Sequence, residues 1–158
     1  MAFRSTTLIV INYGALNLNE ITKTDEIDFV EKIHRVYKAI KKVSSDASLN
    51  NKNTIGFVGA PWTLLVYMIN QQSPKKNLKE NFFKDDFLIN RILLIIEKFL
   101  KVHIKNQIDN GANIIQIFDS WAGLLEEKDL PNYVYTPTLN LVNYVKTLNV
   151  PVICFPRE

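Results

Sequence analysis

Three short apolar runs, separated by segments with helical spacing, constrain the fold of this chain more than any other feature. The runs lie at residues 54–59, 114–118 and 152–155, and turn-forming residues bound them. Their apolar residues are continuous rather than alternating, which is typical of strands buried on both faces of a parallel sheet. Parallel strands need crossover connections, which helices usually supply. The pattern therefore predicts an α/β fold with a parallel sheet.

The first helical segment covers residues 24–43. Thr24 is a candidate N-cap, and the acidic residues that follow it suit the positive end of a helix. Lysines occupy the last turn, where the opposite charge is favoured. One apolar stripe runs along the segment at three- and four-residue spacing. It consists of Phe29, Ile33, Val36, Tyr37 and Ile40.

Three further helices are predicted between and after the first two runs. One begins at Pro61, because proline lacks the backbone N–H that the first helical position leaves unpaired, and it extends to residue 70. The longest covers residues 87–110 and ends before Gly111, a residue suited to left-handed backbone. The last covers roughly residues 137–147.

Composition and charge exclude several classes of protein. The chain has 158 residues, enough for one domain, and its 47% apolar and 22% charged residues are typical of a globular protein. The net charge is +3, and the lysines scatter along helices instead of gathering on one face, so nucleic-acid binding is not predicted. The apolar run at residues 8–11 is too short to span a membrane.

Cys154 is the only cysteine. A single cysteine cannot form an internal disulfide, which indicates a reducing compartment, and we expect a cytoplasmic protein. Because Cys154 lies within an apolar run, we expect a buried, inert thiol rather than a nucleophile.

Two segments are more specific than these periodicities. The first is IGFVGAPWTL at residues 55–64, followed by Tyr67 and Met68. The second is Gly111-Ala112 followed by QIFDSWAG at residues 116–123. In order and spacing they resemble the uroporphyrinogen decarboxylase family, and residues 150–157 are similar to the next strand of that family. The resemblance covers about residues 18–157, with 1–17 unassigned, and implies one partial domain over 1–158.

The resemblance implies an incomplete (β/α)₈ barrel of the TIM type, with the cleft at the carboxyl ends of its strands. The family removes four CO₂ from uroporphyrinogen III to give coproporphyrinogen III in haem biosynthesis, without metal or organic cofactor, and its members are usually homodimers. Departure of CO₂ leaves a carbanion. A protonated pyrrole can take up the electron pair of that carbanion, and a buried carboxylate can stabilise the pyrrole cation. Arginines suit the many carboxylates of such a substrate.

Three residues are implied to bind the substrate. Tyr67 would donate a hydrogen bond near the reacting arm, Ser120 would bind a substrate carboxylate, and Phe57 would form an apolar wall of the cleft. Two of them have a simpler interpretation from the residues alone: Tyr67 could pack against the core, and Ser120 could cap the following turn. Ser120 follows a strand, in the loops that line the active face of a barrel.

Other residues of the two segments are expected to be structural. Trp62 and Trp121 are interpreted as core anchors rather than as substrate platforms. Asp119 could act as a general acid or base, but a structural role is favoured, because the resemblance implies that its position varies between carboxylates.

Several segments that the resemblance calls for have no counterpart in this sequence. They are an Arg-Gln-Ala-Gly-Arg segment, the Phe-Ser-Asp segment with the catalytic aspartate, and a Gly-His-Gly segment. His34 and His103 lie on predicted helices and cannot replace that histidine. No catalytic residue is therefore assigned, and we expect this polypeptide alone to lack decarboxylase activity.

Two alternatives remain open. A barrel methyltransferase would hold zinc through a His and a Cys two residues apart, but Val152 stands two residues before Cys154. A truncated or degenerate chain could instead bind a porphyrin or a partner chain without catalysis. An open piece of barrel would expose strand edges and an apolar inner face, which favours pairing or aggregation. The coding sequence on either side of this frame would distinguish a broken gene from a true fragment.

Overall fold

The computed structural model describes residues 23–70 and 86–157, and their strands form one parallel sheet. Strand β1 is Ile55–Gly59, β2 is Ile114–Asp119 and β3 is Val152–Pro156, in the spatial order β1-β2-β3. Both pairings are parallel, which confirms the predicted α/β class. The described residues supply a three-stranded sheet, not a closed barrel.

In residues 23–70 and 86–157 four helices accompany the sheet, and their bounds agree with the predictions to within one or two residues. They are α1 (Glu26–Ser44), α2 (Pro61–Asn70), α3 (Asp86–Asp109) and α4 (Thr136–Thr147). A π-helical turn, Pro131–Tyr135, leads into α4, and short 3₁₀ turns lie at Ala47–Leu49 and Ala122–Leu124. The apolar run at 8–11 and the predicted polar segment 71–81 lie outside the described residues.

The start of α1 differs from the prediction. Asp25, not Thr24, is the N-cap, and its carboxylate accepts a hydrogen bond from the backbone N–H of Ile27 at 2.9 Å. Asp and Thr are both good caps, and the backbone conformation decides between them: Asp25 has the extended conformation that a cap requires. The end of α3 follows the prediction, because Gly111 has φ of +108°. A Cβ there would also collide with Ser44.

The two faces of the sheet are covered unequally. On one face, Val58, Ile115 and Ile117 pack into a core with apolar residues of α2, α3 and α4. The opposite face, called here the open face, carries large apolar side chains that stay exposed. They are Ile55, Phe57, Ile153 and Phe155. The prediction of burial on both faces is therefore wrong for these described residues, because three strands cannot curl far enough to cover their own inner face.

Helix α1 forms an outer layer against α3. Phe29, Ile33 and Tyr37 are buried there, and the Tyr37 hydroxyl lies 3.0 Å from Nδ1 of His103. Burial lowers the pKa of His103 to about 4, so the imidazole is neutral at pH 7. His103 is thus a hydrogen-bonded core residue.

Among the described helices, none is long and apolar enough to cross a bilayer.

Candidate active site

The carboxyl ends of the three strands meet at one edge of the sheet, where the following loops are joined by backbone hydrogen bonds. The N–H of Ala60, just after β1, donates to the carbonyl of Phe118 at 2.7 Å. The N–H of Arg157, just after β3, donates to the carbonyl of Asp119 at 3.0 Å. Gly123 then donates to the carbonyl of Arg157 at 3.2 Å. These bonds tie the loops after β1 and β3 to β2 and its own loop.

A line of aromatic rings crosses the open face near this edge. The ring centroids of Phe57 and Phe118 lie 6.1 Å apart, and those of Phe118 and Phe155 lie 6.5 Å apart, both in edge-to-face arrangement. Phe57 is 48% exposed and Phe155 57% exposed, so the line presents an apolar surface to solvent. Phe57 was predicted to form a wall of a cleft. Phe118 and Phe155 were missed, because only the strand register places them beside it.

The backbone of Phe57 is held from the helical side. The buried side-chain amide of Gln107, on α3, accepts from the N–H of Phe57 at 3.0 Å and donates to its carbonyl at 3.2 Å. Gly56 leaves room for this amide, since a Cβ at Gly56 would lie 2.7 Å from Oε1 of Gln107. A glycine followed by an outward-facing aromatic residue is thus the local arrangement that positions Phe57.

Tyr67 contacts Trp121, the residue that follows Ser120 in the chain. Tyr67 lies on α2, half-buried, and its ring meets the indole of Trp121 edge-on, with centroids 5.9 Å apart. Ser120 directly follows β2 and precedes Trp121 in the chain. Among the three predicted residues, Phe57 has a ring contact with Phe118 and Tyr67 has one with Trp121, while Ser120 lies between Phe118 and Trp121 in the chain.

Asp119 points to the helical side of the sheet, as its alternation with the buried Ile117 requires. It is 3% exposed and accepts hydrogen bonds from the hydroxyls of Thr63 at 2.8 Å and Thr138 at 3.5 Å. Burial raises the pKa of the Asp119 carboxyl, and the two hydroxyls partly oppose that rise. These contacts give Asp119 the structural role that the sequence analysis favours.

The two tryptophans anchor the same region. Trp62 is fully buried, stacks on Tyr133 with ring centroids 5.8 Å apart, and donates from Nε1 to the carbonyl of Trp121 at 2.9 Å. Trp121 is half-buried against the core, and its own indole N–H has no partner among the described residues. Both residues pack as expected of anchors, while Trp121 also contacts Tyr67.

The prediction that Cys154 is buried is wrong, because the residue is exposed. It lies on β3, an outer strand of the described sheet, where no further strand covers it. Partial burial of the sulfur and the nearby Asp119 carboxylate raise the pKa of the thiol, which disfavours the reactive thiolate. Among the described residues no group of three or more His, Cys, Asp or Glu side chains is arranged to hold a metal ion.

Comparison with known proteins gives one consistent result. The family model described as uroporphyrinogen decarboxylase (URO-D) matches residues 1–158. A uroporphyrinogen decarboxylase of Campylobacter jejuni is 36% identical over 144 residues, which cover 89% of this chain and 42% of that protein. One of Rickettsia bellii is 34% identical over 131 residues, covering 80% of this chain and 38% of that protein. The chain thus spans about two fifths of the length of these relatives.

Proposed function

This chain belongs to the uroporphyrinogen decarboxylase family, and from that premise we propose that it forms part of the substrate cleft of a decarboxylase barrel. The whole of 1–158 would be one partial barrel domain, and the reaction would be the conversion of uroporphyrinogen III to coproporphyrinogen III. One observation carries this proposal. The aromatic line of the open face and the Tyr67–Trp121 contact beside Ser120 lie at the carboxyl edge of a parallel sheet, where barrels bind their substrates.

The chemistry of the substrate suits these two parts of the site. A porphyrinogen has a broad apolar macrocycle, and the rings of Phe57, Phe118 and Phe155 offer an apolar surface for it. Its carboxylates need hydrogen-bond donors, and the hydroxyls of Ser120 and Tyr67 each supply one. A hydrogen bond to a charged acceptor contributes about 1.5–3 kcal/mol, so each hydroxyl would matter measurably for binding.

Binding and catalysis separate in this proposal. Loss of CO₂ leaves a carbanion. The protonated pyrrole that takes up its electron pair is a cation, and a carboxylate is needed beside it. The sequence has no match for the family's aspartate segment or for its arginine segment. We therefore infer that this polypeptide contributes to substrate contact but does not decarboxylate alone.

The activity test uses the purified chain with uroporphyrinogen III kept reduced under nitrogen. After incubation the products are oxidised to porphyrins and separated by chromatography. We expect only uroporphyrin, without partly decarboxylated species. Coproporphyrin above the protein-free blank would contradict the inferred inactivity.

The binding test uses the fluorescence of the two tryptophans, since Trp121 lies in the site. Titration with uroporphyrinogen III should change the emission of the wild-type chain. Tyr67→Phe and Ser120→Ala should each raise Kd by at least about tenfold, since a hydrogen bond to a charged group contributes about 1.5–3 kcal/mol. Thr147→Val is the matched control, because it removes an exposed hydroxyl that bonds only the nearby carbonyl of Tyr144. Unchanged Kd in both site variants would refute the assignment of these hydroxyls.

A non-catalytic role in binding a partner chain is the second candidate, and the exposed open face favours it. Ile55, Phe57, Ile153 and Phe155 together present an apolar surface that soluble monomers usually cover. Sedimentation velocity over a range of concentrations tests this candidate. Monomeric behaviour throughout would count against a self-association surface, whereas the family's usual homodimer would appear as a concentration-dependent shift.

A further inference from the structure

The hydroxyl of Thr63 connects the two sides of Ser120. It donates to Oδ1 of Asp119 at 2.8 Å and accepts from the backbone N–H of Trp121 at 3.4 Å. A hydroxyl has one donor and two acceptor sites, so it can make both bonds at once. Asp119 and Trp121 are the immediate neighbours of Ser120, and Thr63 is 3% exposed. Ser120 therefore sits between two residues held by one buried atom.

The arrangement resembles an Asx turn with an inserted hydroxyl. In an Asx turn, an aspartate side chain accepts directly from the N–H two residues later. Here the Thr63 hydroxyl stands between Oδ1 of Asp119 and the N–H of Trp121. The turn at Ser120 is consequently tied to helix α2 instead of closing on itself. The Trp62 indole N–H reinforces the tie, because it donates to the carbonyl of Trp121 at 2.9 Å.

Tyr67 lies on the same side of α2 as Thr63, since residues four apart share a helix face. The Tyr67 ring contacts the indole of Trp121, the residue whose N–H Thr63 binds. One face of α2 thus holds Trp121 at two points, at its backbone by Thr63 and at its ring by Tyr67. The Thr63 bonds thus connect both neighbours of Ser120 to the helix that carries Tyr67.

We propose that Thr63 is a positioning residue that sets the separation between the Ser120 and Tyr67 hydroxyls through its bonds to Asp119 and Trp121. The bonds themselves are independent of any ligand. Their consequence for substrate binding rests on the proposed function, in which those two hydroxyls contact a tetrapyrrole carboxylate. The positioning and the binding are therefore measured in separate arms.

The ligand-free arm measures amide hydrogen exchange by NMR in the full chain. Thr63→Val keeps the shape but removes the hydroxyl, and it should speed exchange at the Trp121 amide about fivefold, the factor for one net hydrogen bond of about 1 kcal/mol. Amides of α1, such as those of Ile33 and Tyr37, should keep their rates, because α1 packs in a separate layer. Thr63→Ser keeps the hydroxyl and should restore protection of Trp121 to within about threefold.

Two controls separate positioning from general stability. Thr138→Val removes the other hydroxyl bonded to Asp119 and leaves Trp121 untouched, so its Trp121 exchange should equal that of wild type. Equal acceleration at Trp121 and in α1 of Thr63→Val would mean a global loss of stability and would overturn the proposal. If Thr63→Val does not fold, Thr63→Ser still decides: acceleration of Trp121 exchange despite the retained hydroxyl would also overturn it.

The ligand arm titrates the same variants with uroporphyrinogen III. Thr63→Val should raise Kd about tenfold and Thr63→Ser should recover it, which a merely structural role would not predict. If the wild-type chain binds and Thr63→Val binds equally well, the proposal is wrong. If the wild-type chain shows no binding while the exchange pattern appears as expected, the substrate assignment fails and the positioning by Thr63 stands.

Discussion

The buried pair formed by His103 and Tyr37 predicts a loss of stability in acid. Their contact joins α1 to α3, with Phe29 edge-on to the imidazole at a centroid distance of 6.4 Å. Burial depresses the pKa of His103 from 6.5 to about 4. Below pH 6.5 His103 becomes protonated in the unfolded chain but stays neutral in the folded chain. The free energy of unfolding therefore falls as the pH falls. Above pH 6.5 the histidine is neutral in both states and does not lower the free energy of unfolding.

The magnitude follows from the size of the shift. A His103 pKa of about 4 in the folded chain, against 6.5 in the unfolded chain, corresponds to a loss of roughly 3 kcal/mol between pH 7 and pH 4. About 2 kcal/mol of this should already be lost at pH 5. This is a large part of the 5–15 kcal/mol that usually stabilises a domain.

Urea unfolding at pH 7.5, 6, 5 and 4.5, followed by circular dichroism, measures the effect. Carboxyl groups also titrate in this range. The Asp119 carboxyl acts in the opposite sense, because its pKa is raised in the folded state and its contribution is lost as the pH rises. The carboxyl groups contribute equally in the wild type and in His103→Gln, so the difference between the two proteins isolates the contribution of His103. Glutamine can still form a hydrogen bond with Tyr37 but does not titrate.

The wild-type chain should lose about 2 kcal/mol more than His103→Gln between pH 7.5 and pH 5. His34→Gln, at an exposed histidine, should follow the wild type. Loss of helical signal without change in tryptophan emission would locate the acid effect in α1, because both tryptophans lie in the other core layer. Parallel pH profiles of the wild type and His103→Gln would refute the reasoning.

Three other outcomes are expected. Gly56→Ala should lower the free energy of unfolding by about 1–3 kcal/mol in urea, because the new Cβ would lie 2.7 Å from Gln107 and 2.9 Å from Ile115. Gly59→Ala should cost less, because its nearest contacts would be Cδ2 of Leu64 at 3.0 Å and Cγ of Leu64 at 3.3 Å, in a flexible side chain; equal losses would contradict the packing argument. Phe155→Glu should reduce concentration-dependent self-association in sedimentation, with a stability change within about 0.5 kcal/mol, and unaltered self-association would remove the open face from consideration. Asp25→Ala should lower stability by about 1 kcal/mol in urea, and a matching loss in Thr24→Ala would point back to Thr24 as the cap.

The candidate site was only partly predictable. Phe57, Tyr67 and Ser120 were named from motifs that resemble a family, and they remain proposals for substrate contact. The importance of Phe118 and Phe155 depends on register, because a one-residue slip of either strand would turn its own phenylalanine to the other face. The bridge by Thr63 joins residues 56 positions apart, so no local pattern could indicate it.

Local sequence patterns predicted the three strands and four helices of the described residues, the helix start at Pro61 and the left-handed turn at Gly111. These features depend on residues a few positions apart, whose preferences are set by backbone sterics and local apolar spacing. Three features became visible only in the folded chain: which sheet face is open, the exposure of Cys154, and the bonds of Thr63 to both neighbours of Ser120. Those features depend on how distant segments pair and pack, and the energy of such contacts exists only once the strands lie side by side.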